Sequence, residues 1–298
     1  MRDPQQIPPQ PESPGRTRDG ALPALFIGGG NMASAIIKGA LRAGVLASHT
    51  TVVAEPDEGR RKSLASIGVV TAPDTSRALG SLGQVEAATR RTGAVVFAVK
   101  PQVLGEVVRS APELSGMSGR LAVSIMAGVT RERLRGVIGG GWRVSRVMPN
   151  LPISVGKGMT AIVDEGDLAS EESAWVERLF GSGGVTVRLP EPMMDAFTAV
   201  AGSGPAYLFY LAESLERGAV GLGFDPATAR TIVRQTLVGA AELLGADGAD
   251  PAGLRSAVTS KGGTTHAACT TLDDLGVMEA FASALAAARE RGAELSRG

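Results

Sequence analysis

Residues 25–37 read LFIGGGNMASAII, and this stretch decides the fold. A short apolar run leads into three glycines, and an amphipathic segment with helical spacing follows them. The spacing of Gly28, Gly30 and Ala33 is the dinucleotide fingerprint with alanine in its third place. The first glycine permits a tight turn, the second lets a pyrophosphate approach the backbone, and the small third residue packs helix on strand. A glycine-rich turn without a ligand is the alternative, but the strand before it and the helix after it favour a dinucleotide site. The predicted contacts are Gly28, Gly30, Asn31, Met32 and Ala33.

Apolar runs and helical patterns alternate between Ala21 and about Pro190, which predicts βαβ units and a parallel sheet. The apolar runs are residues 25–27, 51–53, 94–99, 121–125 and 144–147. After Pro190, Ala- and Leu-rich helical stretches follow one another without a strand pattern. The sequence therefore predicts the α/β class, with a Rossmann-like doubly wound sheet in a domain at 21–190 and an all-helical domain at 191–298. Residues 1–20 are rich in Pro and Gln, which predicts a disordered tail.

The composition narrows the classes of function. The 298 residues carry 30 basic and 30 acidic side chains, so neither nucleic acid nor an anionic membrane is expected as a partner. No uncharged apolar run reaches the roughly 18 residues of a membrane span. The single cysteine, Cys269, excludes an internal disulfide and a four-cysteine zinc site, and no metal is predicted. Residues 1–20 lack the apolar core of a secretory signal, so the expected location is cytoplasmic.

Two features after the second apolar run bear on the choice between NADPH and NADH. Glu55 stands where an acidic side chain normally accepts hydrogen bonds from the ribose 2′-hydroxyl, which favours NADH. Arg60, Arg61 and Lys62 lie just beyond it and are able to bind the 2′-phosphate of NADPH. The same three side chains also fit the solvated face of a helix. Both cofactors therefore stay open.

Three further apolar runs end in residues suited to ligand contact, because open α/β sheets bind ligands beyond the carboxyl ends of their strands. From such positions Lys100 and Asn150 can reach a ribose or a nicotinamide amide, although each also fits an ordinary helix start. The cofactor contacts predicted at these ends are Ala98, Val99, Lys100, Pro101, Ala127, Gly128 and Asn150.

Several motifs, taken in order, resemble those of the pyrroline-5-carboxylate reductase family. They are residues 27–33 (IGGGNMA), 99–101 (VKP), 127–130 (AGVT), 148–150 (MPN), 202–207 (GSGPAY), 235–236 (QT) and 259–265 (TSKGGTT). The resemblance covers nearly everything from residue 21 to the end. It implies a Rossmann-like domain followed by a helical domain that interlocks with its twin in a homodimer, with further assembly into rings of dimers in some members. It also implies reduction of 1-pyrroline-5-carboxylate to proline with NADPH or NADH.

The chain departs from the family pattern at two positions. Lys261 stands where the family usually has proline. The loop is therefore expected to be less rigid or to carry an extra cation for the substrate carboxylate. The alternative is that the lysine only faces solvent. Glu55 stands where many members have an uncharged or basic residue, which bears on the cofactor preference.

The segment 260–265 suits the binding of a cyclic imine that bears a carboxylate. Gly262 and Gly263 free the backbone, and a helix that opens after them has N–H groups able to hold the carboxylate. Such an imine is basic enough to arrive protonated, so no strong general acid is required. Thr264 or Thr265 can bond the imine nitrogen, and the resemblance points to Thr265 as the catalytic residue. A helix cap rich in Ser, Thr and Gly explains the same pattern without a substrate.

Glu191 is placed near substrate by the resemblance, and its alternative role is a stabilising charge in the first turn of a helix. The residues predicted to bind substrate are Glu191, Ser260, Gly262, Gly263, Thr264 and Thr265.

Three other functions compete with this hypothesis. A β-hydroxyacid dehydrogenase also has a Rossmann domain followed by a helical domain. The members of that family resemble one another in having a catalytic lysine within a helix of the second domain. After Pro190 the only lysine is Lys261, in a glycine-rich turn, and no base for alcohol oxidation stands out. A non-catalytic nicotinamide sensor would need a DNA-binding module or a basic face, and neither is evident. A reductase of another cyclic imine stays open, because Lys261 lies in the loop that is expected to meet the substrate.

Overall fold

A computed structural model describes residues 21–163 and 166–297 of the protein. The tail predicted for residues 1–20 lies outside the described residues. The chain separates into two compact units, of which the first ends at Glu191 and the second begins at Pro192.

The first unit is built on one eight-stranded sheet with the strand order β3-β2-β1-β4-β5-β6-β7-β8. All neighbouring strands are parallel except β6 and β7, which are antiparallel. The order turns outward in both directions from β1 and β4, as in a doubly wound sheet, and this confirms the predicted Rossmann-like fold. The strands are β1 Ala24–Ile27, β2 Thr51–Ala54, β3 Val70–Ala72, β4 Ala94–Phe97, β5 Leu121–Ser124, β6 Arg143–Pro149, β7 Gly158–Val163 and β8 Gly184–Arg188.

Helices cover both faces of this sheet, because side chains alternate between the two faces along each strand. Phe26 in β1 points into one core with helices α1 and α6, whereas its neighbour Leu25 points into the other core with α3 and α5. The helices of this unit are α1 Asn31–Arg42, α2 Glu58–Ala65, α3 Thr75–Thr89, α4 Leu104–Ser110, α5 Arg131–Ile138 and α6 Ser170–Gly181. Short 3₁₀ turns occupy Ser48–Thr50, Pro101–Val103, Pro112–Gly116, Leu151–Val155 and Glu191–Met193.

Every regular element between residues 192 and 297 is helical, which confirms the predicted all-α second part. The elements are α7 Met194–Phe197, a π-helical turn Thr198–Gly202, α8 Gly204–Gly221, α9 Pro226–Leu244, α10 Pro251–Ala257, α11 Thr264–Asp274 and α12 Val277–Arg297. Of these, α8, α10 and α11 bury no residue, and α9 buries only Ala229 and Val233. Large apolar side chains such as Tyr210 and Leu275, each 72% exposed, lie on the surface of this unit. A surface this apolar is typical of a protein–protein interface.

Within residues 21–163 and 166–297, no helix has the length and apolar character needed to span a bilayer.

Candidate functional site

The fingerprint turn has the geometry that its first glycine demands. Gly28 has φ +103°, a conformation that side-chain-bearing residues rarely adopt. A Cβ atom added there would lie 2.8 Å from the carbonyl oxygen of Ala98 and 3.1 Å from Val99 Cγ1. The Gly28 N–H also donates to the Ala54 carbonyl at 2.9 Å. The structure therefore brings Gly28 together with Ala98 and Val99, two of the residues predicted to line the cofactor site.

The start of helix α1 is open to an anion. Its N-cap is Gly30, and no described side chain caps its first turn, which holds no acidic residue. A Cβ added at Gly30 would meet nothing within 4 Å, so open space lies above this glycine. The N–H groups of Asn31, Met32 and Ala33 have no acceptor within the helix, since the first turn of any helix lacks such partners. This backbone fits a pyrophosphate, which helix N-termini bind through free N–H groups and the helix dipole.

The loops after β1, β4 and β5 meet at the same edge of the sheet. Ile27 pairs with Phe97, and Phe97 pairs with Ser124, so the three strands end side by side. Lys100 lies beyond β4 with an exposed side chain and has no ion-pair partner among the described residues. Pro101 opens a 3₁₀ turn after it. Beyond β5, Ala127 is exposed and Gly128 has φ +71°.

Glu55, just after β2, has partners within the chain. Its side chain is only 5% exposed. One carboxylate oxygen accepts the N–H of Gly29 at 2.8 Å and the other accepts the N–H of Asp57 at 3.0 Å. The sequence predicted a ribose contact for Glu55, and the bond to Gly29 was not predicted.

The three basic residues that follow Glu55 have three different environments. Arg60 is 58% exposed, and its Nη1 lies 3.7 Å from Glu55 Oε1. Arg61 Nη1 donates to the carbonyls of Glu55 and Pro56 at 2.8 and 2.6 Å. Lys62 forms an exposed ion pair with Glu58 at 2.7 Å. Arg61 and Lys62 therefore each form a contact within hydrogen-bond distance, whereas Arg60 is mainly exposed and its described ionic contact is longer than a hydrogen bond.

Asn150 follows β6 and is buried, with 8% exposure. Its Oδ1 accepts the N–H of Met159 at 2.8 Å and so ties the end of β6 to the start of β7. This bond is a structural role distinct from the ligand contact and from the helix start that the sequence suggested for Asn150.

Glu191 ends the first unit, and its carboxylate is bound there by groups of that unit. Oε1 accepts the N–H of Arg131, the first residue of α5, at 3.2 Å, and Arg146 Nη1 at 3.0 Å. Arg131 and Arg146 are buried, with 6% and 4% exposure. The Arg131 guanidinium also donates to the Val144 carbonyl and forms an ion pair with Asp167. Neither arginine was predicted from the sequence as part of the site. For Arg146 a signal was available, because it is a charged residue inside the apolar run 144–147.

In the second unit, the segment 260–265 forms a glycine turn at the start of α11, as predicted. Gly262 has φ +73°, and the N–H of Gly263 donates to the Ser260 carbonyl at 3.0 Å. A Cβ at Gly263 would lie 2.5 Å from Ser260 Oγ and 3.2 Å from the Ser260 carbonyl oxygen, so a side chain there would displace the Ser260 hydroxyl. No described side chain caps α11, and its first turn has no acidic residue. Thr264 is exposed, Thr265 is half-buried, and Lys261 lies in the loop and not in a helix.

No group of three or more His, Cys, Asp and Glu side chains in the described ranges is arranged to hold a metal ion. The fingerprint turn, the open start of α1 and the convergent strand ends instead define a dinucleotide-dependent oxidoreductase.

Comparison with known proteins identifies the family within this class. Residues 191–295 match the family described as "Pyrroline-5-carboxylate reductase dimerisation", and residues 24–128 match that described as "NADP oxidoreductase coenzyme F420-dependent". A pyrroline-5-carboxylate reductase of Pisum sativum is 36% identical over 271 residues, which cover 91% of this chain and 95% of the relative. The chain belongs to the pyrroline-5-carboxylate reductase family, as the motifs predicted.

Solved structures agree with this assignment. A pyrroline-5-carboxylate reductase from Coxiella burnetii is 30% identical with a TM-score of 0.81, over 93% of this chain and 99% of that one. A pyrroline carboxylate reductase from Plasmodium falciparum, solved with NADP bound, is 25% identical with a TM-score of 0.78, over 92% and 98% of the two chains.

Proposed function

We propose that this protein reduces the C=N bond of 1-pyrroline-5-carboxylate with NAD(P)H and so forms L-proline, the last step of proline biosynthesis. The observation that carries the proposal is the uncapped start of α11 behind a glycine turn, in a chain that belongs to the pyrroline-5-carboxylate reductase family. A carboxylate is the part of the substrate that such a backbone recognises.

The first unit holds the dinucleotide. The N–H groups of Asn31, Met32 and Ala33 would hold its pyrophosphate, and Gly30 would leave the space for it. Six residues that follow β4 and β5 at this edge of the sheet would contact the rest of the cofactor: Ala98, Val99, Lys100, Pro101, Ala127 and Gly128. When bound, the reduced nicotinamide supplies the hydride. The described geometry fits the pyrophosphate of NADPH and of NADH equally well, since the two cofactors differ only at the adenosine ribose.

The second unit supplies the substrate contacts. The first-turn N–H groups of α11 and the backbone of Gly262 and Gly263 hold the carboxylate, and Ser260 shapes the turn. Thr265, the catalytic residue of the proposal, accepts a hydrogen bond from the protonated imine nitrogen, with Thr264 beside it. The hydride adds to the carbon of the C=N bond, the π electrons move to nitrogen, and the secondary amine of proline results. Because the nitrogen is already protonated, no residue has to donate a proton.

The helical unit is proposed to form the interface of a homodimer. Its helices α8–α11 bury almost none of their residues in a single chain, and a second copy is the cover that the match at residues 191–295 supports. Further assembly into a ring of dimers follows the family resemblance. With 30 basic and 30 acidic residues, the chain suits a small-molecule partner better than nucleic acid or a membrane surface. We place the activity in the cytoplasm, where reduced nicotinamide is available and Cys269 is kept as a free thiol.

The test is loss of the reduced-nicotinamide absorbance with 1-pyrroline-5-carboxylate, run in parallel with NADPH and NADH. Turnover is expected, and 1-pyrroline, which lacks the carboxylate, should be reduced far less efficiently through a higher KM. Cofactor binding without turnover of either imine refutes the proposed reaction. Equal efficiency with the two imines refutes the role of the α11 start.

A further inference from the structure

The carboxylate of Glu55 lies beneath the fingerprint turn. Its two oxygens accept the N–H groups of Gly29 at 2.8 Å and Asp57 at 3.0 Å. Gly29 is the middle residue of the turn, 26 positions before Glu55 in the sequence. The two halves of the nucleotide-binding motif are therefore joined by one buried side chain.

The packing around Gly29 shows that this turn lies directly on Glu55. A Cβ added at Gly29 would lie 3.1 Å from Glu55 Cβ and 2.8 Å from Leu64 Cδ1. The rest of the turn is fixed as well, because the Gly29 carbonyl accepts the hydroxyl of Ser34 at 3.0 Å and the Gly28 N–H binds the Ala54 carbonyl. The Gly29 N–H is thus bonded within the protein and is not among the donors left for a phosphate.

The exposure of Glu55 decides between two roles. A residue that distinguishes a ribose hydroxyl from a 2′-phosphate has to present its oxygens to the ligand. The Glu55 side chain is 5% exposed, and each oxygen already accepts a backbone N–H. The ion-pair contact of this carboxylate is with Arg60, which is 58% exposed and whose Nη1 lies 3.7 Å from Oε1.

We infer that Glu55 is a positioning residue for the pyrophosphate turn, and that it does not select between NADPH and NADH. It acts through Gly29, which it holds so that Gly30 and the start of α1 face the phosphates. The inference rests on the cofactor site of the proposed function. Since the pyrophosphate is common to both cofactors, loss of this contact weakens both to the same extent.

Glu55→Gln is the first test variant, since it keeps the shape but places an NH₂ group against one of the two backbone donors. Dissociation constants for NADP⁺ and NAD⁺ are measured by calorimetry, and kcat and KM by turnover. Both Kd values should rise about tenfold, as for a charge-assisted hydrogen bond that is partly lost, with their ratio unchanged to within about twofold. The KM for each cofactor should rise in step while kcat at saturation stays near the wild-type value. A general loss of structure would lower kcat as well.

Glu55→Asp separates geometry from charge. It keeps the negative charge but shortens the side chain by one methylene, so it cannot reach Gly29 as Glu55 does, and both Kd values should rise again. Glu177→Gln is the matched control, because Glu177 is an exposed carboxylate of α6 whose ion-pair partner is Arg188, and it should leave both Kd values unchanged.

Three results would overturn the inference: a selective gain in NADP⁺ affinity in Glu55→Gln, a wild-type-like Kd for both cofactors in both Glu55 variants, or a parallel fall in kcat. A wild-type protein that binds neither cofactor would instead refute the cofactor site itself, which is a separate failure.

Discussion

Two alanine substitutions, two residues apart in the fingerprint turn, should have opposite consequences. Gly28→Ala places a side chain on a residue with φ +103° and puts its Cβ 2.8 Å from the backbone oxygen of Ala98. The strained φ costs about 1–3 kcal/mol, and relief of the contact by a shift of the main chain costs about as much again. Gly30→Ala costs almost nothing in the free protein, because Gly30 has φ −62° and open space around the added Cβ.

The added methyl group at Gly30 occupies the space that a pyrophosphate needs. Gly30→Ala should therefore keep the Tm of the free protein within about 2 °C of wild type while its affinity for NADP⁺ and NAD⁺ falls about tenfold or more. Gly28→Ala should lower the Tm by an amount on the order of 10 °C. Differential scanning calorimetry without ligand and isothermal titration calorimetry with each cofactor separate the two effects.

The reasoning is refuted if Gly28→Ala melts like wild type, since the close approach to Ala98 would then be relieved at no cost. It is equally refuted if Gly30→Ala binds both cofactors with wild-type affinity, since no phosphate would then lie over Gly30.

Three more predictions concern other parts of the chain. Thr265→Ala should lower kcat while the Kd for cofactor is unchanged, and Thr265→Ser should recover most of the rate; equal rates for the alanine variant and wild type would remove the proposed role. Burial opposes ionisation of Glu86, but hydrogen bonds from Arg120 and the Gly93 N–H outweigh it and lower the pKa of this carboxyl below its usual 4.5. The stability that it contributes is therefore complete above pH 4.5 and lost as the pH falls through the lowered native pKa. Glu86→Gln should destabilise by about 1–3 kcal/mol at pH 7 and by progressively less at pH 4 and below, and a penalty independent of pH in thermal melts would contradict this. Phe209→Asp, at a residue of α8 that is 57% exposed, should shift the mass measured by light scattering from dimer towards monomer, and an unchanged mass would exclude this face from the interface.

The parts of the fold that were predicted from sequence carry a local signal. Strands β1, β2, β4, β5 and β6 are apolar runs, and the turn after β1 is marked by glycines whose conformations the structure displays. Strands β3, β7 and β8 were not predicted. β3 has three residues, and β8 lies at an edge of the sheet with exposed and half-buried side chains, so neither is a continuous apolar run. The conformation of β3 and β8 depends on pairing with a neighbouring strand, and that information is not local. β7 reads GMTAIV and is mostly buried, so it carried a local signal that the sequence interpretation overlooked.

The same limit applies to the candidate site. Sequence reasoning found the glycine turns at Gly28 and Gly262 because positive φ selects glycine directly. It did not find the bond between Gly29 and Glu55, or the ion pair of Arg146 with Glu191, whose partners are 26 and 45 positions apart. An acidic residue near a strand end can contact a ligand, or it can accept a hydrogen bond from the protein's own backbone, and the residue type alone does not distinguish the two. Only the direction of the nearest N–H groups decides between the two.

Glu55 and Glu191 illustrate how that decision is made. Both were predicted to meet a ligand, and both carboxylates in the structure accept a backbone N–H of the first unit and lie near an arginine. An acceptor that is already bonded gains little from a ligand, because a new contact has to replace an existing one. Glu55 is also buried, with a side chain 5% exposed, whereas the Glu191 side chain is 22% exposed. The starts of α1 and α11 are different, since no described side chain caps them. An anionic ligand is therefore expected to bind where backbone donors lack partners, and Glu55 is expected to hold the fingerprint turn in shape.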